Sequence, residues 1–364
     1  MTNTRSPDTS DMTPATGAAE ATDAPKRDMV FPVDGRSARA SSHLAILDGW
    51  RALCILLVIA GHQLPLNAIL PGANDAAGAG GMAIFFTLSG FLITRFLWQR
   101  PQVKPFLIRR VLRILPLAYL AMAILYFAEG ADRSVSELIA NLLFYMNLPP
   151  SQLMTGGAHL WSLAVEMQFY VAVALIAALA GKRGLYVLPI LALCVTGARI
   201  AAGETTSIVT WHRVDEILAG ATLALLYLGA FGERAQRLFA KNNFYVLAAF
   251  ALVCTFFHET PLAYARPYTV AAMVGITLYH APRWLDRVFS SRPAAYIAKI
   301  SYALYVFHVM LDHTWLGSGD VTEKYLKRPL LFAATWAAAH LSTFYWEQRF
   351  IDLAKRWSTP AKRS

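Results

Sequence analysis

The sequence predicts an all-α fold: a polytopic membrane helix bundle of about ten transmembrane helices. Of the 364 residues, 56% are hydrophobic and only 15% are charged. The mean hydropathy is +0.41, which is too apolar for a soluble chain of this length. The apolar residues are gathered in runs of roughly 20, the length that crosses a bilayer. Basic residues cluster in the short connectors between these runs.

The charge and the cysteines exclude several classes of protein. The formal net charge of +10 follows the connectors between apolar runs, so membrane topology explains it better than nucleic-acid binding. Cys54, Cys194 and Cys254 lie in apolar segments at no metal-ligand spacing, which favours neither a disulfide framework nor a zinc site. We therefore expect the lipid bilayer as a partner, no nucleic acid, no metal and no permanently bound cofactor.

The chain divides into one membrane domain and two tails. Residues 1–43 are rich in Thr, Ala, Asp and Pro and predict a disordered cytoplasmic tail. Residues 44–355 form the membrane domain, and residues 356–364 a short basic C-terminal tail. A short apolar segment at 138–147 is expected to be re-entrant or interfacial. The ten predicted spans are roughly 46–68, 81–98, 112–128, 161–180, 184–202, 213–231, 244–258, 262–280, 296–316 and 329–350.

Positive charge near span ends stays cytoplasmic, and this rule sets the predicted orientation. With the N-terminus inside, most basic clusters fall in inside connectors. One group, Lys324, Lys327 and Arg328, falls outside and argues against the assignment. We predict a bacterial inner-membrane protein with both termini cytoplasmic.

Ionisable side chains within spans are costly and identify candidate functional residues. Arg51 and His62 are eleven positions apart in the first span, so they share a helix face about 16 Å apart along the axis. Arg51 is expected near the cytoplasmic surface and His62 in the outer half. A histidine hydrogen-bonded for structural reasons is the alternative.

The fourth span begins with His159, Ser162 and Glu166, spaced i, i+3 and i+7 on one face. Glu166 is expected at the depth of His62, where a carboxylate would hold the tautomer of a histidine base. The alternative is that Glu166 is an ion-pair partner of an intramembrane arginine.

Two arginines and a serine are further candidates. Arg110 and Arg113 share a helix face at the cytoplasmic side, where guanidinium groups bind phosphates well; contact with anionic lipid headgroups is the alternative. Ser89 follows a stretch from Gly72 to Gly81 that we expect to be flexible. Ser89-Gly90 is interpreted as a helix-packing element, with a nucleophilic serine not excluded.

Two remaining groups are interpreted as structural. His308 lies in the ninth predicted span. Arg213, Asp215 and Glu216 open the sixth span and predict an ion-pair group.

Together these motifs resemble the acyltransferase 3 family of integral membrane acyltransferases, from about Leu47 to Asp352. The resemblance rests on five blocks in order. They are Leu47-Asp48-Gly49-Trp50-Arg51-Ala52 with His62, Phe85-Phe86-Thr87-Leu88-Ser89-Gly90-Phe91, Arg109-Arg110-Val111-Leu112-Arg113-Ile114-Leu115-Pro116, His159-Leu160-Trp161-Ser162 with Glu166-Met167-Gln168-Phe169-Tyr170, and Ile300-Ser301-Tyr302-Ala303-Leu304-Tyr305. This sequence has Glu166-Met167 where members often have paired glutamates, and Glu347-Gln348-Arg349 where they have a glutamate, a basic residue and a proline.

The resemblance implies a ten-helix bundle that takes acyl groups from acyl-coenzyme A at the cytoplasmic side and modifies a carbohydrate or lipid-linked sugar acceptor. It implies functional weight for five matching residues: Arg51, His62, Arg110, Arg113 and Glu166. Our hypothesis is that His62 and Glu166 are catalytic and that Arg51, Arg110 and Arg113 bind the donor. Ser89, His159, Ser162 and His308 are candidate supporting residues. His62 would act as a general base or carry the acyl group itself.

Two other functions remain open from the sequence. A proton-coupled transporter would use His62, Glu166 and His308 as a relay, but it predicts repeated halves, and the sequence has no internal repeat. A non-catalytic partner of polysaccharide assembly would retain the bundle without turning over a donor.

Overall fold

The computed structural model describes residues 44–128, 130 and 134–358, and every regular element in these ranges is helical. The predicted tail at 1–43 and residues 359–364 of the predicted C-terminal tail lie outside the described residues. The helices are α1 (Ala45–Gln63), α2 (Ala73–Gln99), α3 (Val103–Ala128), α4 (Val135–Leu142), α5 (Trp161–Gly184), α6 (Leu188–Ala202), α7 (Asp215–Tyr227), α8 (Glu233–Ala240), α9 (Phe244–Phe256), α10 (Arg266–Ile276), α11 (Arg283–Phe289), α12 (Arg292–Asp312), α13 (Val321–Leu341) and α14 (Gln348–Ser358).

The all-helical prediction is confirmed, and each of the ten predicted spans falls on a helix. Within the described residues, five stretches are long and apolar enough to cross a membrane, or six if the bent pair α8 and α9 counts as one. One of them, Ala158–Ala202, has 45 residues, or about 68 Å, twice the thickness of a hydrocarbon core. It breaks at Gly181, whose φ is +57°. The number of ten crossings stays a prediction.

Two boundaries differ from the sequence pattern, and one short segment agrees with it. Helix α3 begins at Val103, so the arginines at 109–113 belong to it rather than to a connector. The segment at 138–147 contributes only the eight-residue helix α4 and a turn, which confirms that it is too short to span. The first three residues of the predicted C-terminal tail form the last turn of α14.

The stretch from Gly72 to Gly81 was expected to be flexible, and this expectation is wrong. Helix α2 begins at Ala73 and runs through it. A Cβ on Gly81 would meet the backbone of Cys54 at 2.8 Å, and one on Gly61 the backbone of Gly78 at 2.8 Å. The glycines are therefore used for close contact between α1 and α2, and this packing offsets their low helix propensity.

Helix α2 lies between α1 and α7 and packs closely on both. A Cβ on Gly90 would clash with the backbone of Ile217, and one on Gly220 with the backbone of Thr87. Helix α7 is correspondingly buried over most of its length. The glycines bring the two backbones to a distance that no larger residue permits.

Two of the three basic residues that argue against the predicted orientation form ion pairs. Arg328 pairs with Asp312 at 2.6 Å and Lys327 with Glu323 at 2.7 Å. Because orientation follows the number of lysines and arginines near span ends rather than the net charge, these ion pairs leave the argument in place, and the orientation stays a prediction.

We predict that Gly220→Ala lowers the free energy of unfolding by about 1–3 kcal/mol, because the added methyl group must push α2 and α7 apart. The matched control is Gly197→Ala in helix α6, where a Cβ meets nothing within 4 Å. That variant should be neutral or more stable by about 0.5–1 kcal/mol. Thermal unfolding in one detergent would compare them, and equal midpoints would contradict the close α2–α7 contact.

Candidate active site

A basic cavity of about 340 Å³ lies between the start of α3 and the last helix, α14. Four basic side chains line it together with apolar residues. They are Arg109, Arg110, Arg113 and Lys355. Arg109 Nε donates to Ser358 Oγ at 2.8 Å, which fixes α14 against α3. Arg51 on α1 lies within electrostatic range of Arg113, so all three predicted donor-binding arginines belong to one region.

Glu166 lies in a buried group next to these arginines. Its Oε1 atom accepts from Ser89 Oγ at 2.5 Å and from the Tyr170 hydroxyl. The Arg110 guanidinium lies over the Tyr170 ring, 5.6 Å from its centroid. Ser89, Glu166 and Tyr170 are respectively 8%, 6% and 2% exposed. Tyr170 therefore contacts an arginine with its ring and the carboxylate with its hydroxyl.

Two tyrosines of α12 belong to the same polar region, one near the arginines and one near His159. Tyr302 lies within electrostatic range of Arg113 and Glu166. The Tyr305 hydroxyl donates to the backbone oxygen of His159, so Ser162 Oγ, at 2.6 Å, must donate to it. The predicted residues Ser162 and His159 are thus joined to α12.

Three histidines lie at the far end of α1. We give the name polar line to the series of side chains that leads to them from the arginine cavity: Arg110, Tyr170, Glu166, Ser89, Tyr302, Tyr305, Ser162, His159, His308 and His62. The His308 ring lies 5.2 Å from the His62 ring and 5.2 Å from the His159 ring, measured between centroids. His308 is fully buried and His159 is 7% exposed, whereas His62, in the last turn of α1, is exposed. Of these three histidines, His62 is therefore the one that is accessible from outside the bundle.

Backbone carbonyls set the tautomer of each ring, because a carbonyl oxygen only accepts. Nδ1 of His62 donates to Val58 O at 2.8 Å, and Nδ1 of His308 to Tyr305 O at 2.7 Å. Nε2 of His159 faces Val306 O at 3.2 Å. Each neutral ring is left with one bare nitrogen: Nε2 in His62 and His308, and Nδ1 in His159. In the described part of the chain, Nε2 of His308 and Nδ1 of His159 have no hydrogen-bond partner.

The predicted contact between Glu166 and His62 is not observed. Among the described residues, the hydrogen bonds of Glu166 go to Ser89 and Tyr170, and that of His62 to Val58. The prediction counted depth from the two helix ends but could not place α12, whose Tyr305 and His308 contact the His159 region and His62. His62 is at an exposed helix end, whereas Glu166 is buried among hydroxyl groups.

Sequence reasoning missed the residues that connect the predicted ones. Tyr170, Tyr302 and Tyr305 were quoted as motif residues only, although a hydroxyl at helical spacing from a buried carboxylate or histidine is a signal for them. Glu347 was noted only as a departure from the family pattern. It lies within electrostatic range of Arg113 and accepts from Ser342 at 3.0 Å in the π-helical segment Ser342–Glu347.

The predicted ion-pair group at the start of α7 is confirmed, with two partners that the sequence did not indicate. Asp215 pairs with Arg199 at 2.5 Å, and Glu216 pairs with Arg266 at 2.9 Å and with Arg213 at 3.5 Å. In residues 44–128, 130 and 134–358, no group of three or more His, Cys, Asp or Glu side chains is arranged to hold a metal ion.

The fold and the site define a helical membrane protein with an internal polar line that joins a basic cavity to a histidine cluster. The chain belongs to the acyltransferase 3 family: the family model described as an acyltransferase domain matches residues 44–346.

Relatives of known name agree with this assignment. The chain is similar to the peptidoglycan O-acetyltransferase OatA of Listeria monocytogenes, at 26% identity over 84% of this chain and 54% of that protein. It is similar to the putative peptidoglycan O-acetyltransferase YrhL of Bacillus subtilis, at 27% identity over 72% and 47%, and to a putative O-acetyltransferase of Staphylococcus aureus strain COL, at 24% over 76% and 52%. The chain spans about half the length of these curated relatives. No solved structure matches it.

We predict that a double-mutant cycle separates the observed partner of Glu166 from the expected one. Glu166→Gln and Tyr170→Phe should be coupled by about 0.5–3 kcal/mol in the free energy of unfolding, because they share a buried hydrogen bond. Glu166→Gln and His62→Ala should add within about 0.5 kcal/mol. Urea or thermal unfolding in detergent would measure both cycles, and the reverse pattern would restore the Glu166–His62 pair.

Proposed function

We propose that this chain is a membrane O-acyltransferase that moves an acetyl group from acetyl-coenzyme A to a hydroxyl of a cell-envelope carbohydrate. The family assignment and the names of the relatives, which are O-acetyltransferases, support the reaction class and the acetyl group. Two relatives are named for peptidoglycan, which makes a peptidoglycan sugar the first acceptor to test. The inner membrane is its proposed location, with both termini and the basic cavity on the cytoplasmic side.

The observation that carries the proposal is the series of polar side chains that lies between the arginine cavity and His62. Arg51 and His62 are on the same helix, eleven residues or about 16 Å apart. A donor held by its phosphates at one end can extend its arm along this line, while an acceptor approaches the exposed histidine at the other. Reactants from opposite sides of a membrane would thus meet in one protein.

The donor end fits the chemistry of coenzyme A. Arginine forks bind phosphate oxygens in pairs, and Arg109, Arg110 and Arg113 line one cavity. Arg110 is also held over the Tyr170 ring, so its guanidinium is oriented before a ligand arrives. Preorientation reduces the entropy lost on binding.

The acceptor end fits base catalysis. With Nδ1–H donating to Val58 O, neutral His62 presents Nε2 as a bare base. Nε2 takes the proton of the acceptor hydroxyl as its oxygen attacks the thioester carbonyl carbon. The C–O ester bond forms, the C–S bond breaks, and the leaving thiolate receives a proton to give free coenzyme A. In the second route, Nε2 attacks the carbonyl carbon first, the C–S bond breaks and the coenzyme A thiolate leaves. The acceptor oxygen then attacks the acyl-histidine, the C–N bond breaks as the ester forms, and the hydroxyl proton passes through Nε2 to the thiolate.

We predict that His62→Ala lowers kcat for acetyl transfer by at least about 100-fold, the usual contribution of a general base. The matched control is His313→Ala. His313 is also exposed near a helix end, and its Nδ1 also faces the carbonyl four residues earlier, Val309 O, at 3.0 Å. Purified protein in lipid nanodiscs would be assayed with radiolabelled acetyl-coenzyme A. Wild-type turnover in His62→Ala, with unchanged folding, would contradict the role of His62.

We predict that Arg110→Ala and Arg113→Ala each raise KM for acetyl-coenzyme A about tenfold or more, because each removes a charged hydrogen-bond donor. Neither should change kcat/KM for acetyl-pantetheine, which lacks the phosphates. The control is Arg237→Ala, an exposed arginine paired with Glu233 at 3.3 Å. An equal loss with both donors would mean that these arginines do not bind phosphate.

A further inference from the structure

Five charged side chains form a buried cluster apart from the polar line, where the end of α6 meets the starts of α7 and α10. Their exposed fractions run from 0% to 5%. We call them the α6–α7–α10 cluster: Arg199, Arg213, Asp215, Glu216 and Arg266. Full burial of charges in an apolar environment is costly unless each one is paired and hydrogen-bonded, so the partners of each group can be counted.

One half of the cluster is saturated. Arg199 donates to Asp215 Oδ2 at 2.5 Å from Nη1, to Glu204 O at 3.3 Å from Nε and to Thr205 O at 2.8 Å from Nη2. Asp215 also accepts from Thr196 at 3.2 Å. Arg199 and Asp215 therefore need no further ligand.

In the other half of the cluster, the hydrogen-bond donors are not all paired. Arg266 is 0% exposed and donates to Glu216 Oε1 through Nε at 2.9 Å. In the described part of the chain, both of its terminal nitrogens lack a hydrogen-bond partner, as do Nε of Arg213 and Oε2 of Glu216. The cluster thus has three nitrogens with free donors against one free acceptor oxygen. Glu216 has to serve both arginines. The free donors thus all belong to the two arginines that share one carboxylate.

The cluster also has more positive than negative charges. Three guanidinium groups face two carboxylates, and the ion pairs of these arginines include no third carboxylate among the described residues. The cluster therefore carries one positive charge in excess. Helices α7 and α10 begin at Asp215 and Arg266, and their N-terminal ends add partial positive charge at the same place.

We propose that the α6–α7–α10 cluster binds one small monovalent anion, either a free chloride ion or a carboxylate, on the terminal nitrogens of Arg266. One negative charge balances the excess, and an anion without N–H or O–H groups accepts from the free donors. The site adjoins the polar line: the Arg213 guanidinium lies 5.5 Å from the ring centroid of Trp161, and the next residue is Ser162. The proposal does not depend on acyl transfer.

The experiment measures the unfolding temperature of the purified wild-type protein in detergent at constant ionic strength. Sodium chloride, sodium formate or sodium acetate replaces sodium isethionate, whose anion is larger. Because a ligand that binds only the folded state stabilises it, chloride or a carboxylate should raise the midpoint by about 2–4 °C at saturation. A rise with chloride alone identifies a free halide. If formate or acetate raises the midpoint and chloride added to that sample raises it no further, the ligand is a carboxylate.

Variants locate the effect. Arg266→Gln should abolish the anion response, and the matched control Arg199→Gln, equally buried but with every nitrogen already paired, should lower the midpoint and keep the response. Two results would overturn the proposal: a wild-type midpoint that none of the three anions changes, or an Arg266→Gln response equal to that of the wild type. The wild-type measurement decides the matter even if a variant fails to fold.

Discussion

The free-energy cost of holding charged side chains inside an apolar helix bundle governs the arrangement of this protein. The structure meets that cost in three ways. Carboxylates pair with arginines where α6, α7 and α10 meet. Hydroxyl groups of Ser89 and Tyr170 donate to Glu166. Aromatic rings of Tyr170 and Trp161 lie against the guanidinium groups of Arg110 and Arg213. The requirement for a partner therefore holds these polar side chains in place.

Glycine contacts make this pairing possible. Consecutive residues on a helix point about 100° apart, so Ser89 and Gly90 serve different neighbours. Gly90 meets the backbone of Ile217 on α7, while Ser89 donates to Glu166 on α5. The close contact on one side of α2 thus sets the position of the hydroxyl on the other. This explains how the Ser89-Gly90 element can act in packing and still contribute to the candidate site.

The sequence alone was sufficient for the fold class and for helices under all ten apolar windows. It singled out the arginines, Glu166 and the histidines as candidates but not the tyrosines that lie between them. It was insufficient for the partners of the candidates. Glu166 was assigned to His62 because depth along a helix can be counted from its end, whereas which helix lies between two others cannot. Arg199 and Arg266 were missed because their carboxylates lie 16 and 50 positions away, and no local pattern joins them.

The separation of Glu166 from His62 bears on how the proposed reaction would work. A carboxylate on Nδ1 would raise the basicity of the ring, but Nδ1 of His62 donates to the neutral Val58 carbonyl instead. His62 would then act through its position. A thioester is already an activated acyl donor, so the main requirement is that thioester, hydroxyl and Nε2 be held in one geometry. In the proposed reaction, a donor bound at the arginine cavity and an acceptor at the exposed His62 would meet that requirement.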